Sequence, residues 1–131
     1  SYHTLVKDYE HYLEVVIDLL KKYQHLNIFI SSPSYNLLYI LKRKTKAYKL
    51  GVVLDINNVS YIDVDFYIFS PIMLREDILL EQLERQKEIM IRIKDCDDMS
   101  KVIQFLEEED KTGVIKEKVN LLLIILVFFL N

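Results

Sequence analysis

Glu88-Ile-Met-Ile-Arg-Ile-Lys94 alternates like a strand, Cys96 to Glu109 carries helical spacing, and Gly113-Val-Ile-Lys116 reads as a second short strand. Successive side chains of a strand point to opposite faces, so Ile89, Ile91 and Ile93 share one face while Glu88, Met90, Arg92 and Lys94 share the other. Asp95 or Asp97 is placed to cap the helix, whose Met99, Val102, Ile103 and Leu106 form one apolar face. Strand, packed helix and strand make one βαβ unit, which predicts a parallel pair joined by a right-handed crossover.

Outward from this unit the theme repeats. Between Asp8 and Tyr23, Tyr9, Tyr12, Leu13, Val16, Leu19, Leu20 and Tyr23 draw an apolar stripe, and Lys21 and Lys22 complement the dipole of a helix ending there. Asn27 to Ser31 follows as a short strand, and Ser32-Pro33-Ser34 caps a helix carrying Leu37, Leu38, Ile40 and Leu41 and closing in Lys42 to Lys46. Lys49-Leu-Gly-Val-Val-Leu54 is a continuous apolar run, the pattern of a strand covered on both faces. Ser60 to Phe66 alternates, with Ile62, Val64 and Phe66 opposing Tyr61, Asp63 and Asp65, and Ser70-Pro71 opens a helix to Lys87. Strands near residues 27–31, 49–54, 60–66, 88–94 and 113–116 predict an α/β domain with a mostly parallel sheet of about five strands. The strands near 49–54 and 60–66 have no helix between them, so a parallel pairing there needs an unusually short connection.

The chain of 131 residues is one domain's worth, and 51% hydrophobic with 28% charged residues is enough to build a core without disulfides. A net charge of -3, with lysines and arginines interspersed among acids, excludes the basic field that nucleic acid requires. Cys96 is the lone cysteine, so neither an internal disulfide nor a zinc-type ligand spacing is available. Nothing at the N-terminus resembles a secretory signal, and Ser1 in place of Met leads us to expect a longer parent chain. The compartment is left open between cytoplasmic and membrane-associated.

In order and spacing these elements resemble the C-terminal portion of the glycerophosphodiester phosphodiesterase family, whose domain is a (β/α)8 barrel. Glu14-Val-Val-Ile-Asp-Leu-Leu-Lys-Lys-Tyr23 with Ile28-Phe-Ile-Ser-Ser32 looks like that family's third helix and fourth strand. Lys49 to Leu54 looks like its fifth strand, Tyr61-Ile-Asp-Val-Asp65 its sixth, Ile89 to Met99 its seventh with the next helix start, and Gly113-Val-Ile-Lys-Glu117 its last. The resemblance implies residues 1–118 as a partial TIM-type (β/α) barrel, with 119–131 as an apolar tail. It also implies a lipid-metabolism hydrolase that cleaves glycerophosphodiesters to glycerol phosphate and an alcohol with calcium or magnesium. In that family the histidines and metal carboxylates come from the first three strands, which have no counterpart here. Arg92-Ile93-Lys94-Asp95 replaces the family's Trp-Thr-Val-Asn run, and the chain has no Trp. The expectation is therefore a fragment or degenerate member, inactive by itself and binding no metal.

Barrel sites lie at strand C-termini, which directs attention to Ser31, Ser32, Asp55, Asp65, Lys94, Asp95, Lys116 and Glu117. Asp55, Asp65 and Asp95 offer oxygen ligands for a hard cation, and Lys94 with Lys116 offers charge for a phosphate. Asp63 and Asp65 share a face, as do Arg92 and Lys94, so either these four pair across neighbouring strands or that face is open to water or a partner. Because the strands they resemble are neighbours in the family, pairing is the expectation. His3, His11 and His25 receive no role. The competing reading is a non-catalytic module that self-associates, or joins the missing part of a longer chain, through open sheet edges. The run Val119 to Leu130 reads first as a buried terminal element, since it is shorter than the ~20 residues a spanning helix needs, and second as a membrane contact.

Overall fold

A computed structural model describes residues 2–44, 48–54 and 63–123, with side chains from residue 10 onward. The elements run α1 (Tyr2–Lys22), β1 (Phe29–Ser32), α2 (Tyr35–Lys44), β2 (Lys49–Leu54), β3 (Phe66–Phe69) and a 3-10 turn (Pro71–Met73). They continue α3 (Glu76–Glu84), β4 (Glu88–Ile93), α4 (Cys96–Glu108), α5 (Val114–Lys118) and β5 (Asn120–Leu123). All five strands are parallel and neighbour one another in chain order, and the sheet curls into half a barrel. The partial barrel expected from the sequence is the observed architecture.

Helices cover one face of the sheet. Leu50, Val52 and Leu54 of β2, Tyr67 and Phe69 of β3, and Ile89, Ile91 and Ile93 of β4 meet Leu13, Ile17, Leu38, Leu41, Leu79, Val102 and Phe105 of the helices in one buried cluster. Strand alternation sends the intervening residues to the concave face, where register aligns Ser31 with Gly51, Gly51 with Phe66, and Phe66 with Glu88. Gly51 leaves room for the Phe66 ring, which would overlap any Cβ at that position. Phe66 in turn meets Phe29 edge-on, with ring centroids 5.8 Å apart. These rings floor the half-barrel at the N-terminal end of its strands.

Three elements differ from their sequence expectations. The strand expected at 60–66 is β3, from Phe66 to Phe69, and its four residues are buried on both faces. Residues 60–62 lie outside the described residues, and Asp63 to Asp65 lead into the strand. The connection from β2 is thus longer than expected, relieving the short parallel link. Gly113 to Lys116 is not a strand. Gly113 caps α5 at φ 73, and the Asp110 carboxylate accepts from the backbone N–H groups of Ile115 at 3.3 Å and Lys116 at 2.9 Å, fixing a helical turn. The final strand comes instead from the apolar run: Asn120 to Leu123 pair with Met90 to Ile93. The helix expected from Ser70 to Lys87 is split into the 3-10 turn and α3. No described helix is long and apolar enough to cross a membrane.

Candidate functional site

The two ends of the sheet hold different chemistry. At the N-terminal end, Asp65 stands one residue before β3, where its carboxylate accepts from Leu50 N–H at 2.8 Å and its own N–H donates to Leu50 C=O at 2.8 Å. Asp63 sits beside it, held by Lys87 at 2.9 Å and Lys42 at 3.3 Å. The hydrogen bond from Lys87, then that from Lys42, keeps the Asp63 carboxyl below the usual carboxylate range. A hollow of about 310 Å³ opens among Lys42, Tyr48, Asp63, Asp65 and Lys87. Its carboxylates are already engaged, and burial pushes the Tyr48 hydroxyl pKa up, keeping it a neutral donor to Leu41 C=O at 3.4 Å. Lys49 and Glu88 pair at 3.4 Å across the concave floor.

At the C-terminal end, Asp95 caps α4: its carboxylate accepts from Asp98 N–H at 2.8 Å. Asp98, itself buried, accepts from Lys94 N–H at 3.1 Å. Ser32 accepts from Ser34 N–H at 3.0 Å, which uses its oxygen in the turn before α2. Arg92 is different. It lies on the concave face beside Ser70, whose buried hydroxyl accepts from Arg92 Nη2 at 3.0 Å. Among the described residues the buried Arg92 Nε has no hydrogen-bond partner, and no carboxylate forms an ion pair with this guanidinium. An unmet donor out of water costs free energy, typically about 1–3 kcal/mol and more where the group is charged. Met90 and Leu122 are the partly buried apolar neighbours that register places on the same face.

These placements regroup the expected site residues. Asp65 and Asp95 lie at opposite ends of the sheet, and Asp55 lies outside the described residues, so the three carboxylates are not shown as one ligand set. Among the described residues no group of three or more His, Cys, Asp or Glu is placed to hold a metal. Lys94 follows β4 at the C-terminal end, whereas Lys116 belongs to α5, which leads into the start of β5 at the other end. The two lysines therefore do not share a phosphate. Asp63 and Asp65 do not face Arg92 and Lys94 either, because β3 starts later than expected: Phe66 aligns with Glu88, four residues before Arg92. His11 and His25 are exposed, and the side chain of His3 is outside the described set. What sequence reading missed is the Arg92–Ser70 pair. Its only signal is parity, which puts Arg92 on a strand face but pairs it with Asp63 and Asp65 rather than Ser70. Comparison with family models, with curated proteins and with solved structures returned no match for this chain.

Proposed function

We propose that this chain is a non-hydrolysing half of a barrel of the glycerophosphodiester phosphodiesterase type, whose concave C-terminal mouth binds a phosphate ester at Arg92 without turning it over. The observation that carries this reading is the Arg92 guanidinium, held by Ser70 with its Nε–H unused among the described residues. It lies near the C-terminal end of β4, the end at which barrels place their ligands. A guanidinium offers a planar fork that fits phosphate oxygens, and the nearby Lys94 adds charge at the same end of the sheet. Lys94 is retained from the expected phosphate set and Lys116 is replaced by Arg92. Hydrolysis asks for more: a positioned acid and base, and in this family a calcium or magnesium ion on the phosphoryl oxygens. The exposed His11 and His25 lie on and just after α1, away from that mouth.

Titration calorimetry of the full chain with glycerol 3-phosphate and with inorganic phosphate tests the reading. Saturable binding near the millimolar range, about −4 kcal/mol, is expected. Arg92→Met abolishes it, and Lys116→Ala leaves it unchanged. Release of glycerol phosphate from a glycerophosphodiester in the presence of calcium or magnesium overturns the non-hydrolysing part. Phosphate affinity indifferent to Arg92→Met overturns the site.

A further inference from the structure

The two open edges of the half-barrel are unlike, and each carries what the other lacks. At one edge, α1 packs on the sheet through Leu13 and Ile17 and turns Glu14, Asp18 and Lys21 toward Lys44 of α2. At about 100° per residue, Tyr12 and Leu19 lie on the flank of α1 away from α2 and are more than half exposed, whereas Val15, about 60° from Asp18, points straight away from the sheet. That flank faces out beyond β1. At the other edge, β5 aligns Leu121 with Ile91 and Leu123 with Ile93, which puts both leucines on the helix-bearing face. They are nevertheless 49% and 55% exposed, because no described helix lies over them. Beside them, α4 turns Lys101, Gln104 and Phe105 back toward Pro71 and Leu74, so Ile103 falls on the flank that looks past β5, 46% exposed.

In a right-handed β/α array, the helix that precedes a strand lies over the groove between that strand and the one before it. α1 has this position relative to β1, with its apolar flank turned to where a preceding strand and its helix would lie. β5 and α4 present that strand and that helix. The backbone edges agree: the free edges of β1 and β5 are the opposite edges of parallel strands, the two kinds that pair at every other joint of this sheet. We infer that the occupant of each edge is a second copy of this chain. β5 of one copy pairs in parallel with β1 of the other, and α1 of the second copy lays Tyr12 and Leu19 beside Leu121 and Leu123 and against Ile103 of the first. A two-fold axis along the barrel makes the same contact twice, so the two curled sheets close, no edge remains, and assembly stops at two. This inference rests on the edges and is independent of the anion reading at Arg92.

Sedimentation velocity of the full chain at tens of micromolar is expected to show one species of twice the chain mass. Leu19→Glu and Leu123→Lys sit on exposed positions, so each variant keeps the circular dichroism of the parent, yet each buries an unpaired charge in the joint and weakens association about a hundredfold. Combining them in one chain sets a carboxylate opposite an ammonium across both joints and restores the dimer. Several outcomes overturn the inference: a single species of chain mass, a polymer that grows with concentration, or a dimer indifferent to both substitutions. A dimer that survives both substitutions but disappears on removal of residues 124–131 overturns it as well, by moving the contact into that segment.

Discussion

The two ends of the same five strands differ in how fully their charges are answered. At the N-terminal end charges are answered: Asp63 by Lys87 and Lys42, Lys49 by Glu88, Asp65 by Leu50 N–H, and Asp110 by two N–H groups of α5. At the C-terminal end Asp95 and Asp98 are likewise answered by backbone N–H groups, but Arg92 keeps a donor with no partner among the described residues on the concave face. In barrels, features of the first end serve stability and features of the second serve ligands. Under the proposed reading, the difference separates residues that support the fold, each modestly, from one whose loss should cost the fold little and binding much.

The largest loss of stability is expected at the floor of the concave face. Phe66→Ala removes a buried ring that fills the space over Gly51 and contacts Phe29, and is expected to cost about 3–5 kcal/mol in urea unfolding. Gly51→Ala forces the same ring aside and costs about 1–3 kcal/mol. The molecules that remain folded should bind phosphate as the parent does. If either substitution abolishes binding at full occupancy of the folded state, the two ends are not independent.

A smaller effect sharpens the contrast. Arg92→Met deletes a partly buried charge with an unmet donor while keeping an unbranched apolar stem, so stability should stay within about 1 kcal/mol of the parent. Phosphate affinity should vanish in the same protein. A loss of several kcal/mol in thermal unfolding would instead make Arg92 a structural residue of the sheet.

How far the sequence disclosed this arrangement depends on the strand. The β4–α4 unit was legible because Ile89, Ile91 and Ile93 alternate strictly and Asp95 stands where an N-cap belongs, and its carboxylate does accept the Asp98 N–H. β3 was not, because Tyr61 to Asp65 mimics alternation, whereas the true strand Phe66-Tyr-Ile-Phe69 is apolar throughout and buried on both faces, as the concave floor demands. That shift alone moved Asp65 to the other end of the sheet and undid its expected pairing with Lys94. Val114 and Ile115 favour strands by β-branching, but the Asp110 carboxylate captures the first free N–H groups and turns the segment into α5, which carries Lys116 away from the mouth. Arg92 could be placed on a face by parity. Its bond to Ser70 depends on the β3 register, which parity does not set.

The smallest effect lies at Asp63. Its carboxyl titrates below its ordinary value of 3.8 because the hydrogen bond from Lys87, and then that from Lys42, favours the ionised form in the folded chain. A folded-state value lower than the unfolded one means that the contribution to stability is fully present above the ordinary value and is lost as pH falls through the lowered one. Asp63 is open to solvent, so the contribution is small and weakened by salt. Asp63→Asn should therefore melt slightly below the parent at pH 7, and the gap should close as the pH is taken below 3.8. About 1 M salt at pH 7 should narrow the gap in the same direction, with the Debye length near 3 Å. Phosphate titration of the Asp63→Asn variant should match the parent, because Asp63 belongs to the end opposite Arg92. A melting gap that is constant from pH 7 down to pH 3 would mean that Asp63 acts through packing or its neutral hydrogen bonds, and that the N-terminal end is not held by answered charge at this residue.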